Sequence, residues 1–158
     1  MSDMPYLGLR PYQEVDQHNF YGRDADCEIL VDKLLANRLT LLFAASGVGK
    51  SSLLNAAILP RLKDPLGENL SVVYHNDWVQ KPLALLHTAI REAVPAAKDA
   101  PTGQTLAELL SFCTLFTRHP FVIVLDQFEE FFRYQRGKAD FDAVIQQLTA
   151  LVINPDIP

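Results

Sequence analysis

The amino-acid sequence predicts an α/β fold built on a mostly parallel sheet. The chain has 158 residues, of which 49% are hydrophobic, enough to bury the core of one globular domain. Short apolar runs alternate along it with longer segments of helical periodicity, a pattern typical of parallel sheets. Two of these runs, residues 39–45 (LTLLFAA) and 121–126 (FVIVLD), lack polar alternation, as expected of strands buried on both faces.

The first half of the chain predicts a leader, two helices and a strand. Residues 1–23 are expected to be extended, with aromatic anchors at Tyr6, Tyr12, Phe20 and Tyr21. A helix should follow with Asp24 as its N-cap, and residues 39–45 should form the first strand. The next helix is predicted over residues 51–59, with Pro60 ending it.

The second half predicts two further strands, at residues 71–75 and 121–126, separated by helices and a loop at residues 95–103. A short helix should carry three phenylalanines and end at Gly137, and Asp140 should cap the last helix. Trp78 is expected to pack, and His75 to be solvated or capped. The predicted apolar helix faces are Leu83, Leu86, Ile90 and Val94; Leu106, Leu109, Leu110, Cys113 and Phe116; Phe128, Phe131 and Phe132; and Phe141, Val144, Ile145, Leu148 and Val152.

Composition and charge exclude several classes of protein. Fourteen Lys and Arg residues face nineteen Asp and Glu residues, a net charge of −5, and no basic run occurs, so a protein that coats duplex nucleic acid is not expected. No apolar stretch is long enough to span a bilayer, and no signal peptide is recognised, so we expect a cytoplasmic protein without a membrane partner. Cys27 and Cys113 are predicted to be buried thiols in a reducing compartment.

The strongest chemical signal is the segment AASGVGKS at residues 44–51, between a predicted strand and a predicted helix. Small residues in tight turns let backbone N–H groups face a phosphate chain, and the open N-terminus of the helix adds further donors. Lys50 would reach the β- and γ-phosphates, and the Ser51 hydroxyl would ligate Mg²⁺. The candidate nucleotide-binding residues of this loop are Ser46, Gly47, Val48, Gly49, Lys50, Ser51 and Ser52.

Ala44 stands where such loops carry their first glycine. If the position requires a positive φ, alanine costs about 1–2 kcal/mol there, and if φ is negative nothing is lost.

The second signal is Asp126, which ends the apolar run FVIVLD. A carboxylate at the carboxyl end of a buried strand lies where open α/β sheets bind ligands. Asp126 could therefore hold the Mg²⁺ shell opposite Ser51. Glu129 or Glu130 could orient or deprotonate the attacking water, and the alternative is that both are surface charges near a helix N-terminus.

With both motifs in place, the sequence resembles the signal-transducing STAND NTPases, in particular their novel STAND group. The resemblance lies in YLGLRPY and FYGR at residues 6–12 and 20–23, SGVGKSSLLNAAILPRL at 46–62 and LDQFEEFF at 125–132. It implies a three-layer α/β/α P-loop NTPase fold with Walker A and Walker B motifs. It also implies an ATP- and Mg²⁺-dependent switch with slow hydrolysis, and places Gly22 and Arg23 near adenine and ribose.

The resemblance further implies that a later strand normally lies between the phosphate-loop strand and the Walker B strand. We therefore expect residues 24–158 to be the N-terminal portion of a truncated core whose C-terminal strands are missing. Unpaired strand edges are costly. The gap is expected to be filled by direct pairing of the two strands, by self-association or by a partner's strand.

Three other functions compete with the switch. A non-catalytic nucleotide-binding or protein-interaction module remains open. A GTPase is disfavoured because Glu129 stands where GTPases place a glycine after the acidic residue, and because no guanine-reading motif occurs. A small-molecule kinase is disfavoured because a leader and a helix precede the phosphate loop.

Overall fold

A computed structural model describes residues 10–63, 70–117 and 119–155, without the side chains of Asn19 and Ala96. The chain divides into two compact units, residues 1–67 and 68–158, called here the N-terminal and C-terminal units. The first residues of the predicted leader, with Tyr6, lie outside the described residues.

The regular secondary structure of the N-terminal unit, over its described residues, is entirely helical. A 3₁₀ helix at Glu14–Asn19 precedes α1 (Asp24–Ala36), and α2 (Lys50–Leu53), a π turn (Leu54–Ile58) and α3 (Leu59–Lys63) follow one another directly. The helix predicted after Arg23 is confirmed, but Arg23 is its N-cap. Asp24 is instead its first residue, and its Oδ1 accepts a hydrogen bond from Arg61 Nη2 at 2.8 Å. The buried apolar side chains are Cys27, Leu30, Val31, Leu53, Leu54, Ala56, Ile58, Leu59 and Leu62.

The prediction that Pro60 ends the second helix is wrong, because the helix continues to Lys63. Proline lacks the N–H that would bond four residues back, and its ring crowds that carbonyl. Just before it, the Leu59 N–H donates to the Leu54 carbonyl, five residues back, in a π turn. The wider turn changes the hydrogen-bond register where the proline enters, as such turns do within helices.

The aromatic anchors of the leader are confirmed in part. The rings of Tyr12 and Phe20 meet edge to face with their centroids 5.7 Å apart. Tyr21 is 80% exposed, so its prediction as an anchor is wrong.

The strand predicted at residues 39–45 does not form. This segment carries no regular secondary structure, and Leu41 and Phe43 are 82% and 97% exposed. A strand is stabilised by the ladder it makes with a neighbour, and no described residue makes one with this segment. The apolar run therefore has the composition of a buried strand without the pairing that would bury it.

The C-terminal unit is an α/β unit with two parallel strands. Its elements are β1 (Ser71–His75), α4 (Pro82–Ala93), a 3₁₀ helix (Pro95–Asp99), α5 (Leu106–Thr117), β2 (Phe121–Leu125), α6 (Glu129–Gln135) and α7 (Asp140–Ile153). The strands pair from Ser71 opposite Phe121 to His75 opposite Leu125. Both predicted strands are confirmed, and Asp126 follows β2 directly.

Two apolar clusters fill the C-terminal unit. The first joins Val73 of β1 to buried residues of α4 and α5, and partly buried Leu148 and Leu151 of α7 pack against it. The second consists of Trp78, Phe131 and Val144, with Phe128 and Phe141 against it. The predicted helix faces are confirmed except at Phe116, Phe132 and Val152, which are exposed. Cys27 and Cys113 are free and buried, as predicted.

The segment predicted as a loop at residues 95–103 contains the 3₁₀ helix and is held by Arg91. The Arg91 guanidinium donates to the carbonyls of Ala97, Ala100 and Pro101 at 2.7, 3.0 and 2.9 Å.

Among the described residues, no helix is both long and apolar enough to cross a membrane.

We predict that Leu109→Ala lowers the free energy of unfolding of the C-terminal unit by about 2–5 kcal/mol, the usual range for a core leucine. Leu115→Ala on the same helix is the matched control and should change it by less than about 0.5 kcal/mol. The two leucines are 0% and 78% exposed. Urea unfolding followed by the fluorescence of Trp78, the single tryptophan, measures both. Equal losses in the two variants would contradict the assigned core.

Candidate functional site

The segment between residues 44 and 51 forms a tight turn that leads into a helix. Gly47 and Gly49 have φ angles of +81° and +85°, in the left-handed region that only glycine enters without strain. Gly49 is the N-cap of α2, and its carbonyl accepts the Leu53 N–H at 2.8 Å. The N–H groups of the first helical turn, from Lys50 onward, have no acceptor within the helix and are available to an anion.

The two glycines leave room on the surface of this turn. A Cβ atom built on either would meet no heavy atom within 4 Å. Glycine is therefore required by the backbone torsions rather than by a close neighbour. Successive backbone N–H groups in a turn of this kind can form a concavity that attracts an anion.

Alanine at position 44 is accommodated without strain. The described non-glycine residues with positive φ are Lys81 and Gln127, so Ala44 does not adopt the conformation that would cost free energy. Replacing the first glycine of the loop by Ala44 therefore costs no backbone strain.

Lys50 lies over the turn that precedes it. Its Nζ donates to the carbonyl oxygens of Ala44 and Ala45 at 2.9 and 3.1 Å. These acceptors are neutral, and a phosphate oxygen carries a formal charge and accepts a stronger hydrogen bond. The ammonium group is thus already at the turn, bound by acceptors that an anion could replace.

Three further predicted residues of the N-terminal unit lie around the same turn. Arg23 Nη1 donates to the Val48 carbonyl at 3.3 Å, while its Nε binds Asp26 at 2.7 Å. Gly22, just before it, has a φ of +83°. The Ser52 hydroxyl accepts the backbone N–H of Tyr12 at 3.1 Å, which ties the leader to α2. The structure therefore brings Arg23, Val48 and Lys50 together around one turn.

In the C-terminal unit, Asp126 is buried at the carboxyl end of β2, with 5% of its surface exposed. Its Oδ2 accepts the Tyr74 hydroxyl and its Oδ1 the Gln127 N–H, both at 2.9 Å. Its backbone N–H donates to the His75 carbonyl at 2.9 Å, and its carbonyl accepts Trp78 Nε1 at 2.8 Å. Four polar atoms of Asp126 are therefore held by neighbouring groups.

Sequence reasoning missed two residues that support Asp126. Tyr74 binds its carboxylate directly, and Gln135 binds the backbone around Trp78 by donating Nε2 to the carbonyls of Trp78 and Val79 at 2.5 and 2.8 Å. The only signal for Tyr74 is its alternation with buried residues along β1. No local signal marks Gln135, whose partners lie 57 and 56 residues away.

Glu129 and Glu130 are the first two residues of α6, where negative charge is stabilised by the helix dipole. Glu129 is exposed and Glu130 is half-buried. The Glu130 N–H donates to the Gln127 carbonyl at 2.8 Å. The turn after Asp126 therefore fixes the backbone from which both glutamate side chains extend.

His75 is buried, so the solvated one of its two expected roles is wrong; packing of Trp78, which is fully buried, is confirmed. Their rings meet edge to face with centroids 4.6 Å apart. His75 Nε2 is buried and has no hydrogen-bond partner among the described residues. Burial lowers the pKa of His75, opposed by a backbone hydrogen bond and the charge of Asp77. Burial therefore favours the neutral form of the His75 imidazole, which lies against the Trp78 ring.

Comparison with protein families gives one match. A family model described as Novel STAND NTPase 1 matches residues 5–156, nearly the whole chain, which confirms the resemblance found in the motifs. No curated protein and no solved structure matches the chain.

We predict that the C-terminal unit loses stability as the pH falls below about 6.5, the ordinary histidine pKa. Burial lowers the pKa of both His75 and His87, so the unfolded chain takes up protons first and acid favours unfolding. Urea unfolding between pH 5 and 8 should show this in the wild type and much less in a His75→Phe, His87→Gln double variant. The same pH dependence in both proteins would contradict the assignment.

Proposed function

Because the chain belongs to the Novel STAND NTPase 1 family, we propose that it is the ATP- and Mg²⁺-binding domain of a signal-transducing ATPase in the cytoplasm. In this proposal the domain is a nucleotide-dependent switch with slow hydrolysis, built on a three-layer P-loop NTPase core. The observation that carries the proposal is the turn before α2, where two left-handed glycines precede a free helix N-terminus and Lys50 lies over the turn.

The phosphate chain would bind at this turn. The backbone N–H groups of residues 46–52 supply donors, and Lys50 would exchange the carbonyls of Ala44 and Ala45 for the β- and γ-phosphates. Gly22 and Arg23 are proposed to contact adenine and ribose. Their support is the hydrogen bond between Arg23 and Val48, which places the guanidinium beside the turn.

Ser51 and Asp126 are proposed to hold Mg²⁺. A hydroxyl and a carboxylate are the hard oxygen ligands that this ion prefers, and it would neutralise charge on the β- and γ-phosphates. The support from Asp126 is its burial at the end of a strand, where its carboxylate oxygens are oriented by neighbouring donors.

A second candidate is a non-catalytic nucleotide-binding or protein-interaction module. The observation that favours it is the exposed apolar run at residues 39–45. In addition, β1 and β2 each have one edge without a partner strand among the described residues. Both features would suit self-association or pairing with a partner's strand.

We predict that MgATP raises the melting temperature of the wild-type chain and that Lys50→Ala abolishes the shift. Ligand at about 100 times its Kd adds roughly 2.7 kcal/mol to the free energy of unfolding. Lys63→Ala is the matched control, since Lys63 is an exposed lysine of the same helical segment that binds Glu14. Its shift should equal that of the wild type. An undiminished shift in Lys50→Ala would refute the phosphate-binding role of the turn.

We predict that one of two isosteric variants, Glu129→Gln or Glu130→Gln, loses about 10²–10⁴-fold in ATP hydrolysis with unchanged ATP binding. That is the usual loss when a general base is removed. The other variant serves as the matched control at the neighbouring position. Single-turnover hydrolysis and thermal shift separate the two readouts. ATP binding with no turnover in the wild type would select the non-catalytic module.

A further inference from the structure

We propose that Tyr74 is a positioning residue for Asp126, whose hydroxyl fixes the orientation of the carboxylate that serves Mg²⁺. This inference rests on the magnesium role proposed above and adds to it a residue outside both sequence motifs. It is drawn from the hydrogen bond of 2.9 Å between Tyr74 Oη and Asp126 Oδ2.

The register of the sheet explains why Tyr74 reaches this carboxylate. Tyr74 of β1 pairs with Val124 of β2, and Asp126 lies two residues beyond Val124. Side chains two residues apart on a strand point to the same face. The long phenol ring spans the remaining distance, and its hydroxyl meets the carboxylate just beyond the end of β2.

Packing alone does not account for Tyr74. Along β1, Ser71, Val73 and His75 are buried while Val72 and Tyr74 are only partly buried. The tyrosine ring therefore lies on the less buried face of its strand. Tyr74 acts on Asp126 through the hydrogen bond that its hydroxyl donates to the carboxylate.

The second carboxylate oxygen is held by an unusual backbone conformation. Gln127 has a φ of +53°, a region that residues with a Cβ rarely adopt. In this conformation its N–H donates to Asp126 Oδ1 at 2.9 Å. One donor from β1 and one from the following turn thus restrict rotation of the carboxylate, while each oxygen retains a lone pair for a metal ion or its water.

Restricting the carboxylate matters because it determines how readily Asp126 engages a cation. A ligand that is already oriented loses less rotational freedom on binding, and removal of such supporting partners typically weakens metal affinity by about 10–100-fold. The hydroxyl of Tyr74 is a donor that can be removed by substitution, whereas the Gln127 N–H belongs to the backbone.

The test is Tyr74→Phe, which removes the hydroxyl and retains the ring. ATP-induced thermal stabilisation is titrated with Mg²⁺, and we expect the half-saturating Mg²⁺ concentration to rise about 10–100-fold. Stabilisation by ATP in EDTA should not change. Tyr134→Phe is the matched control, since Tyr134 lies on α6 and is 37% exposed. Trp78 emission verifies that the fold is retained.

A double-mutant cycle separates positioning from a structural role. If Tyr74 acts through Asp126, adding Tyr74→Phe to Asp126→Asn should raise the Mg²⁺ requirement no further. An unchanged Mg²⁺ requirement in Tyr74→Phe, or an equal rise in the Asp126→Asn background, would overturn the positioning role and leave the proposed function standing. Absence of any Mg²⁺-dependent stabilisation in the wild type would overturn both.

Discussion

The hydrogen bond from the Asp126 N–H to the His75 carbonyl is the interaction on which the rest of the C-terminal unit depends. It extends the parallel ladder by one residue beyond β2 and so sets the position of Asp126. The Asp126 carbonyl then accepts Trp78 Nε1, which places the indole ring in the second apolar cluster with Phe131. Gln135 closes the arrangement by binding the Trp78 carbonyl. The acidic residue and the aromatic core are therefore positioned by the same few hydrogen bonds.

The turn before α2 is organised in a different way, by the backbone torsions of single residues. The left-handed conformations of Gly47 and Gly49 follow from the absence of a Cβ, and Lys50 reaches carbonyls only five and six residues before it. Interactions of such short range are encoded within one motif. This is why the turn could be predicted from sequence, whereas Tyr74 binds Asp126 across 52 residues and could not.

The elements of the fold that the sequence predicts are likewise those that depend on residues close together in the chain. Both strands of the C-terminal unit and most helix faces were predicted, because β-branched runs and helical periodicity are local signals. The wrong predictions concern residues whose environment or hydrogen bonding is set by another part of the structure. A solvated His75 is one of two roles that the sequence allows, but Trp78, three residues later, covers its ring. Pro60 was expected to end a helix, but a π turn before it changes the hydrogen-bond register.

The run at residues 39–45 directly precedes the turn before α2, so pairing of the run would affect the proposed nucleotide site. Its composition matches that of β2, yet Leu41 and Phe43 are exposed, and covering each would gain about 1.5–3 kcal/mol. The turn that holds Gly47 and Lys50 begins where this run ends, and Lys50 already binds its last two residues. A strand that pairs with the run would restrict the backbone from which the turn departs. Nucleotide binding would then require less ordering of the turn, so the two events would favour each other.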